Sequence, residues 1–187
     1  MKKPNIDEGT KLIQGVLDWL QIPMTESTEE TAKRVAKMYL EVFSGMYVEP
    51  PKVTTFEAKE GYVCVTDIYF TSFCEHHLLP FYGKCGVVYW SNGERVIGLS
   101  KIPRLVQHFA SKPQLQERLT YEIAKGVFNA EKLKPNGVYV EVSAEHSCMA
   151  IRGVKARGSV TNTAAIIGRI DKEEAQRLLA TKNSFTK

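Results

Sequence analysis

Three of the four histidines in this 187-residue chain lie within three residues of a cysteine. Cys74 and His77 stand in C-x-x-H spacing within Cys74-Glu75-His76-His77, at the end of a strand-like run. His146 and Cys148 stand two apart at the end of another, about seventy residues later. The first spacing lets two side chains grip one ion from a turning backbone; the second puts two side chains on one face while the chain stays extended. Thiolate and imidazole are the donors zinc prefers. Five residues compete for the role of ligand: Cys74, His76, His77, His146 and Cys148. A structural zinc is closed by four ligands, usually in paired clusters such as C-x-x-C, whereas three ligands and an open position make a catalytic site. The pattern favours the catalytic form. Two thiolates leave such a site nearly neutral, so its water is less acidic than beside three imidazoles, and a neighbouring base becomes useful. The histidines left over would supply it. Cys64 and Cys85 lie in apolar runs and are expected simply to be buried.

Basic residues recur in pairs. Arg34 and Lys37 are three apart on one helical stretch, and Lys101 and Arg104 repeat the spacing after Ser100, which suits a helix N-cap. Cations in a first helical turn oppose the macrodipole unless an anion is bound there, so phosphate would explain them. Arg152 follows the second Cys/His cluster closely enough to reach the same anion. Gln116 and Glu117 fall in a later helix. A carboxylate suits the adjacent N1–H and 2-amino donors of guanine, but a helical Glu is far more often a solvated surface group.

The bulk properties exclude more than they select. Net charge is +4, with hydrophobic residues at 43% and charged residues at 25%, as in an ordinary globular protein. Lys and Arg are scattered, so the mild basicity calls for no nucleic acid. No apolar stretch follows the N-terminal lysines, and none approaches the ~20 residues a membrane span requires. A cytoplasmic protein is the expectation, with its four cysteines serving metal binding or burial rather than a disulfide framework.

The elements that must position these residues follow from periodicity. Residues 5–20 form an expected helix, capped by Asn5 with Glu8, its stripe made by Leu12, Ile13, Val16, Leu17 and Leu20. Ser27 with Glu30 signals a second, ending at Gly45. Strand character covers 52–58, 62–73 and 84–99, broken by Gly61, Pro80, Gly83 and the turn Ser91-Asn92-Gly93. Two helices follow, the second beginning at Pro113, then strands over 138–146 and 158–170 and a closing helix near 171–181. The core order is β-β-α-α-β-β. It implies an α+β fold, an antiparallel sheet with helices on one face, with residues 1–50 as a helical extension and 51–187 as the catalytic domain.

The strings TSFCEHHLLPFYGK, VIGLSKIPRLVQHFA, KPQLQERLTYEIA and AEHSCMAIRGVK, with TAKRVAKMY and FSG upstream, resemble the signature segments of GTP cyclohydrolase I over roughly residues 28–170. The resemblance implies the tunnelling fold and conversion of GTP and water to 7,8-dihydroneopterin triphosphate and formate. It implies Zn2+ on Cys74, His77 and Cys148, with His76 and His146 transferring protons. It further implies guanine on Glu117 beside Gln116, ribose on Ser100, and triphosphate on Arg34, Lys37, Lys101, Arg104 and Arg152. The implied assembly is a homodecamer of two pentameric rings, with active sites at subunit boundaries and no nucleic-acid or membrane partner. Phe73, Ser111-Lys112 and Trp90-Ser91-Asn92-Gly93 depart from the usual pattern without touching an implied ligand.

Overall fold

The computed structural model describes residues 2–181, which fall into two compact units divided after Glu49. In the first, α1 (Ile6–Trp19) starts where Asn5 Oδ1 accepts from the N–H groups of Asp7 and Glu8 at 2.8 and 3.1 Å. The apolar stripe expected on α1 leaves Leu12, Val16 and Leu20 exposed. Helix α2 (Thr31–Val42) begins four residues after the expected Ser27 cap. Thr28 Oγ1 donates to Pro23 O at 2.7 Å and accepts from Thr25 N–H at 2.8 Å, so the hydroxyls fold residues 25–30 into turns instead. Ala32 and Ala36, one turn apart, are its buried residues. A 3-10 turn (Ser44–Met46) takes up Gly45, so the helix ends before that glycine.

The second unit is built on five strands in the order β5-β2-β3-β6-β7: β2 (Gly61–Cys74), β3 (Pro80–Ser91), β5 (Pro113–Gln114), β6 (Gly137–His146) and β7 (Val160–Gly168). A separate ribbon pairs β1 (Thr55–Glu57) with β4 (Arg95–Ile97) beyond the Asn92-Gly93 turn. All pairs in the large sheet are antiparallel except β5, which lies parallel to the end of β2. Pro113 therefore extends the sheet instead of opening a helix. Gly83 does not interrupt β3 either; a Cβ there would lie 1.9 Å from Ser143 O, so glycine permits close approach to β6.

Helices α3 (Lys101–Ala110) and α4 (Gln116–Phe128) cover one face, where Ile102, Leu105, Val106, Leu119, Ile123 and Val127 meet Phe81, Val87, Tyr89, Val138 and Val140. Helix α6 (Lys172–Ala180) corrects the one-faced expectation. It packs Ala175 against Val88 and Tyr139, which point to the opposite face from their neighbours in the strand. With the short elements set aside, β2, β3, α3, α4, β6 and β7 keep the order β-β-α-α-β-β of an α+β protein.

Candidate active site

The β2–β3 hairpin carries the first half of the site in its loop. Cys74 ends β2, buried, and its N–H donates to Leu79 O at 2.9 Å. His77 and Leu78 donate their N–H groups back to Cys74 O at 3.3 and 2.8 Å, with Leu78 in the left-handed region at φ 53°. On the other side, Glu75 N–H donates to Gln114 O at 3.1 Å, continuing the β2–β5 pairing. The turn is thus tied down along both edges. His76 and His77 are exposed, with Nδ1 atoms 3.5 and 3.8 Å from Cys74 Sγ.

Phe81 of β3 pairs with His146, which brings the end of β6 alongside this turn. The expectation that His146 and Cys148 share a strand face fails, because the chain leaves the strand at Ser147 and coils into α5 (Ser147–Ala150). The two side chains are thereby sorted. The ring of His146 lies flat on Phe81, with centroids 4.5 Å apart and planes 5° from parallel. Cys148 instead converges with Cys74 and His77, the three ligand atoms lying within 4.8 Å of one another. His76 and His146 stand outside that trio.

Two thiols and an imidazole at this spacing are a donor set suited to zinc. Burial pushes the Cys148 thiol up, and the neighbouring Cys74 thiol adds to the effect. Two thiolates side by side repel, and a dication between them reverses that penalty. The residues present therefore fit a metal. The guanidinium of Arg152 donates to His77 Nε2, which places this cation at the metal turn.

Gln116 occupies a different place from the one expected of a guanine contact. It is 2% exposed, and its amide nitrogen donates to Val142 O, Thr161 O and Thr163 Oγ1 at 3.1, 2.9 and 3.1 Å. Carbonyls only accept, so the amide orientation is settled. Its Oε1 then faces His146 Nε2 at 2.8 Å and accepts that proton, which leaves the lone pair of a neutral ring on Nδ1. Gln116 thus holds His146. Burial lowers the pKa of His146, partly opposed by the charge of Glu117, which is itself exposed in the first turn of α4.

Ser100, Lys101 and Arg104 are not brought to the metal trio. Ser72 Oγ donates to Ala110 O at 2.8 Å, so the end of α3, not its start, lies near Cys74. The start is about 14 Å away along the helix at 1.5 Å per residue. Ser100 occupies the N-cap position of α3 without making a capping hydrogen bond. Arg34 and Lys37 are exposed on α2, in the first compact unit. Sequence reasoning missed Gln114, Arg118 and Glu75, which form a polar chain beside the metal turn. Only the burial of Gln114 marks it out, and burial of a lone polar residue leaves no periodic signal.

The family model for GTP cyclohydrolase I matches residues 10–183. The chain belongs to the GTP cyclohydrolase I family. The GTP cyclohydrolase 1 of Brevibacillus brevis is 50% identical over 158 residues, 83% of each chain. The Bacillus subtilis enzyme of that name is 45% identical over 181 residues, 95% of this chain and 94% of its own. That of Streptococcus agalactiae serotype V is 44% identical over 183 residues, covering 95% and 97%. The GTP cyclohydrolase I match takes in every candidate site residue, from Arg34 to Arg152. Among the described residues, no helix is long and apolar enough to cross a membrane.

Proposed function

We propose that this chain converts GTP and water to 7,8-dihydroneopterin triphosphate and formate, using zinc held by Cys74, His77 and Cys148. The observation that carries this reading is the convergence of those three ligands beside a histidine whose tautomer is already set by Gln116. When bound, zinc supplies Lewis acidity to the hydrolysis at purine C8.

The rest falls to the chain's own side chains. Glu117, exposed next to Gln116, accepts from the N1–H and 2-amino donors of guanine. His146, kept neutral by burial, offers Nδ1 as the atom that takes up and returns a proton at the imidazole ring of the purine. His76, exposed on the metal turn, is the second proton carrier. Ser100 holds the ribose, while Lys101, Arg104, Arg152, Arg34 and Lys37 bind the triphosphate. Lys101 stands about 14 Å along α3 from the end that meets β2, which supports sites completed by a neighbouring subunit, as in a decamer of two pentameric rings. A cytoplasmic location suits this substrate, and the product enters pterin synthesis.

Formate release from GTP by zinc-loaded protein tests the proposal. Formate should appear in equal amount with a product that fluoresces after oxidation. A zinc-replete preparation releasing none would refute it.

A further inference from the structure

We propose that Arg118 is a positioning residue for the metal turn, acting through Glu75, the residue between Cys74 and His76. The inference rests on the reading of Cys74 and His77 as metal ligands. Arg118 is held at two points: its Nε donates to Gln114 Oε1 at 2.9 Å, and an Nη donates to the Glu75 carboxylate. Gln114 is 1% exposed, and its amide nitrogen donates to Phe109 O at 2.9 Å and Glu122 Oε2 at 2.7 Å. Both partners accept only, so the oxygen of Gln114 must face Arg118. Lys112 closes the chain by holding Glu122 at 2.9–3.0 Å.

This chain of contacts runs from a buried anchor to the ligand-bearing loop. The side chains of Arg118 and Glu75 are 42% and 31% exposed, so their ion pair adds little to folding stability. Its effect is geometric. Residues 75–79 bridge two strands, and the carboxylate of Glu75 is the one side-chain grip on that loop from α4 among the described residues. Without it, the backbone hydrogen bonds of the turn remain, but the orientation of the side chains it carries is less closely held, and affinity falls. The planar guanidinium reaches Gln114 and Glu75 together, which an ammonium cannot do with fixed geometry. The junction of β5 and α4 therefore supports both halves of the site, Gln114 and Arg118 holding the turn and Gln116 holding His146.

Zinc affinity, measured by competition with a chromophoric chelator, tests the inference on R118A, E75A, the double variant and R118K. Losing a partner that orients ligands typically costs 10–100-fold in metal affinity. R118A and E75A should each fall in that range, the double variant no lower than the weaker single, and R118K should recover only part of the loss. The cobalt(II) absorption of E75A, which leaves Arg118 on Gln114, should shift, while the melting temperature of its metal-free form stays close to that of the parent. Wild-type zinc affinity in R118A, full recovery in R118K, or losses that add in the double variant would overturn the proposal. E75A alters an exposed turn and decides the matter on its own if R118A does not fold: unchanged affinity overturns the proposal. Failure of the unaltered protein to bind zinc would instead remove the metal reading beneath it.

Discussion

Helices α3 and α4 lie side by side, and both begin with polar and charged side chains that are used in opposite ways. At the start of α4, Gln116 is engaged with Val142, Thr161, Thr163 and His146, while Arg118 is engaged with Gln114 and Glu75. At the start of α3, the side chains of Ser100, Lys101 and Arg104 make no hydrogen bond or ion pair among the described residues. Two cations in a first turn oppose the helix dipole, a cost recovered only when an anion arrives. One helix start is consumed in holding His146 and the Cys74–His77 turn still; the side chains of the other are unengaged. Polar residues that look alike in a sequence thus separate into positioning and binding groups by what already touches them.

Substitutions sharpen that difference, beginning with a proposed metal ligand next to the groups that α4 holds. Cys148→Ser should lower zinc affinity at least ~100-fold, since ligand removal exceeds the 10–100-fold effect of losing an orienting partner, and turnover should vanish with the metal; zinc content after gel filtration is the check. Gln116→Ala should lose roughly 100-fold in kcat, the lower end of a general acid–base contribution, and destabilise the fold by ~1–3 kcal/mol through unpaired buried groups. Lys101→Ala and Arg104→Ala should leave stability within ~0.5 kcal/mol and each raise KM for GTP about tenfold, the equivalent of ~1.4 kcal/mol. If Gln116→Ala changed KM alone, or Lys101→Ala lowered the melting temperature, the contrast between the two helix starts would collapse.

The smallest effect concerns proton affinity. Burial sets the pKa of His146 below its ordinary 6.5, and the Glu117 charge counteracts part of that shift. Glu117→Gln removes the counteracting charge, so in the metal-free protein His146 should titrate at a still lower pH, read by NMR of its ring. A depressed histidine binds fewer protons folded than unfolded, so stability is complete above pH 6.5 and declines as pH drops below it. The variant should decline further on the acid side. A shift of His146 upward would reverse the assigned sign.

Much of the architecture could be read from periodicity, because α3 and α4 carry apolar residues at helical spacing and β6 is a clear strand. The position of α6 could not. Val87, Val88 and Tyr89 are all buried, the first and third against α3 and α4 and the second beneath α6. A strand covered on both faces loses the alternation that reveals which face is buried. The metal-type residues were legible as a set of five, and family resemblance narrowed them. Chain spacing could not separate His146 from Cys148, since that depends on the turn into α5 after His146. The tasks of Gln116 and Arg118 were hidden for a simpler reason: their partners lie 30 and 43 residues away. Spacing reports neighbours along a chain, and these contacts exist only after folding.

The division of labour between the trio and His146 is the centre of this account, and His146→Ala tests it most directly when zinc content and formate release are measured on one preparation. The expected result is zinc retained at the level of the unaltered protein, with formate release from GTP reduced by about 100-fold or more. Loss of zinc from that variant, or formate release at the original rate, would contradict it.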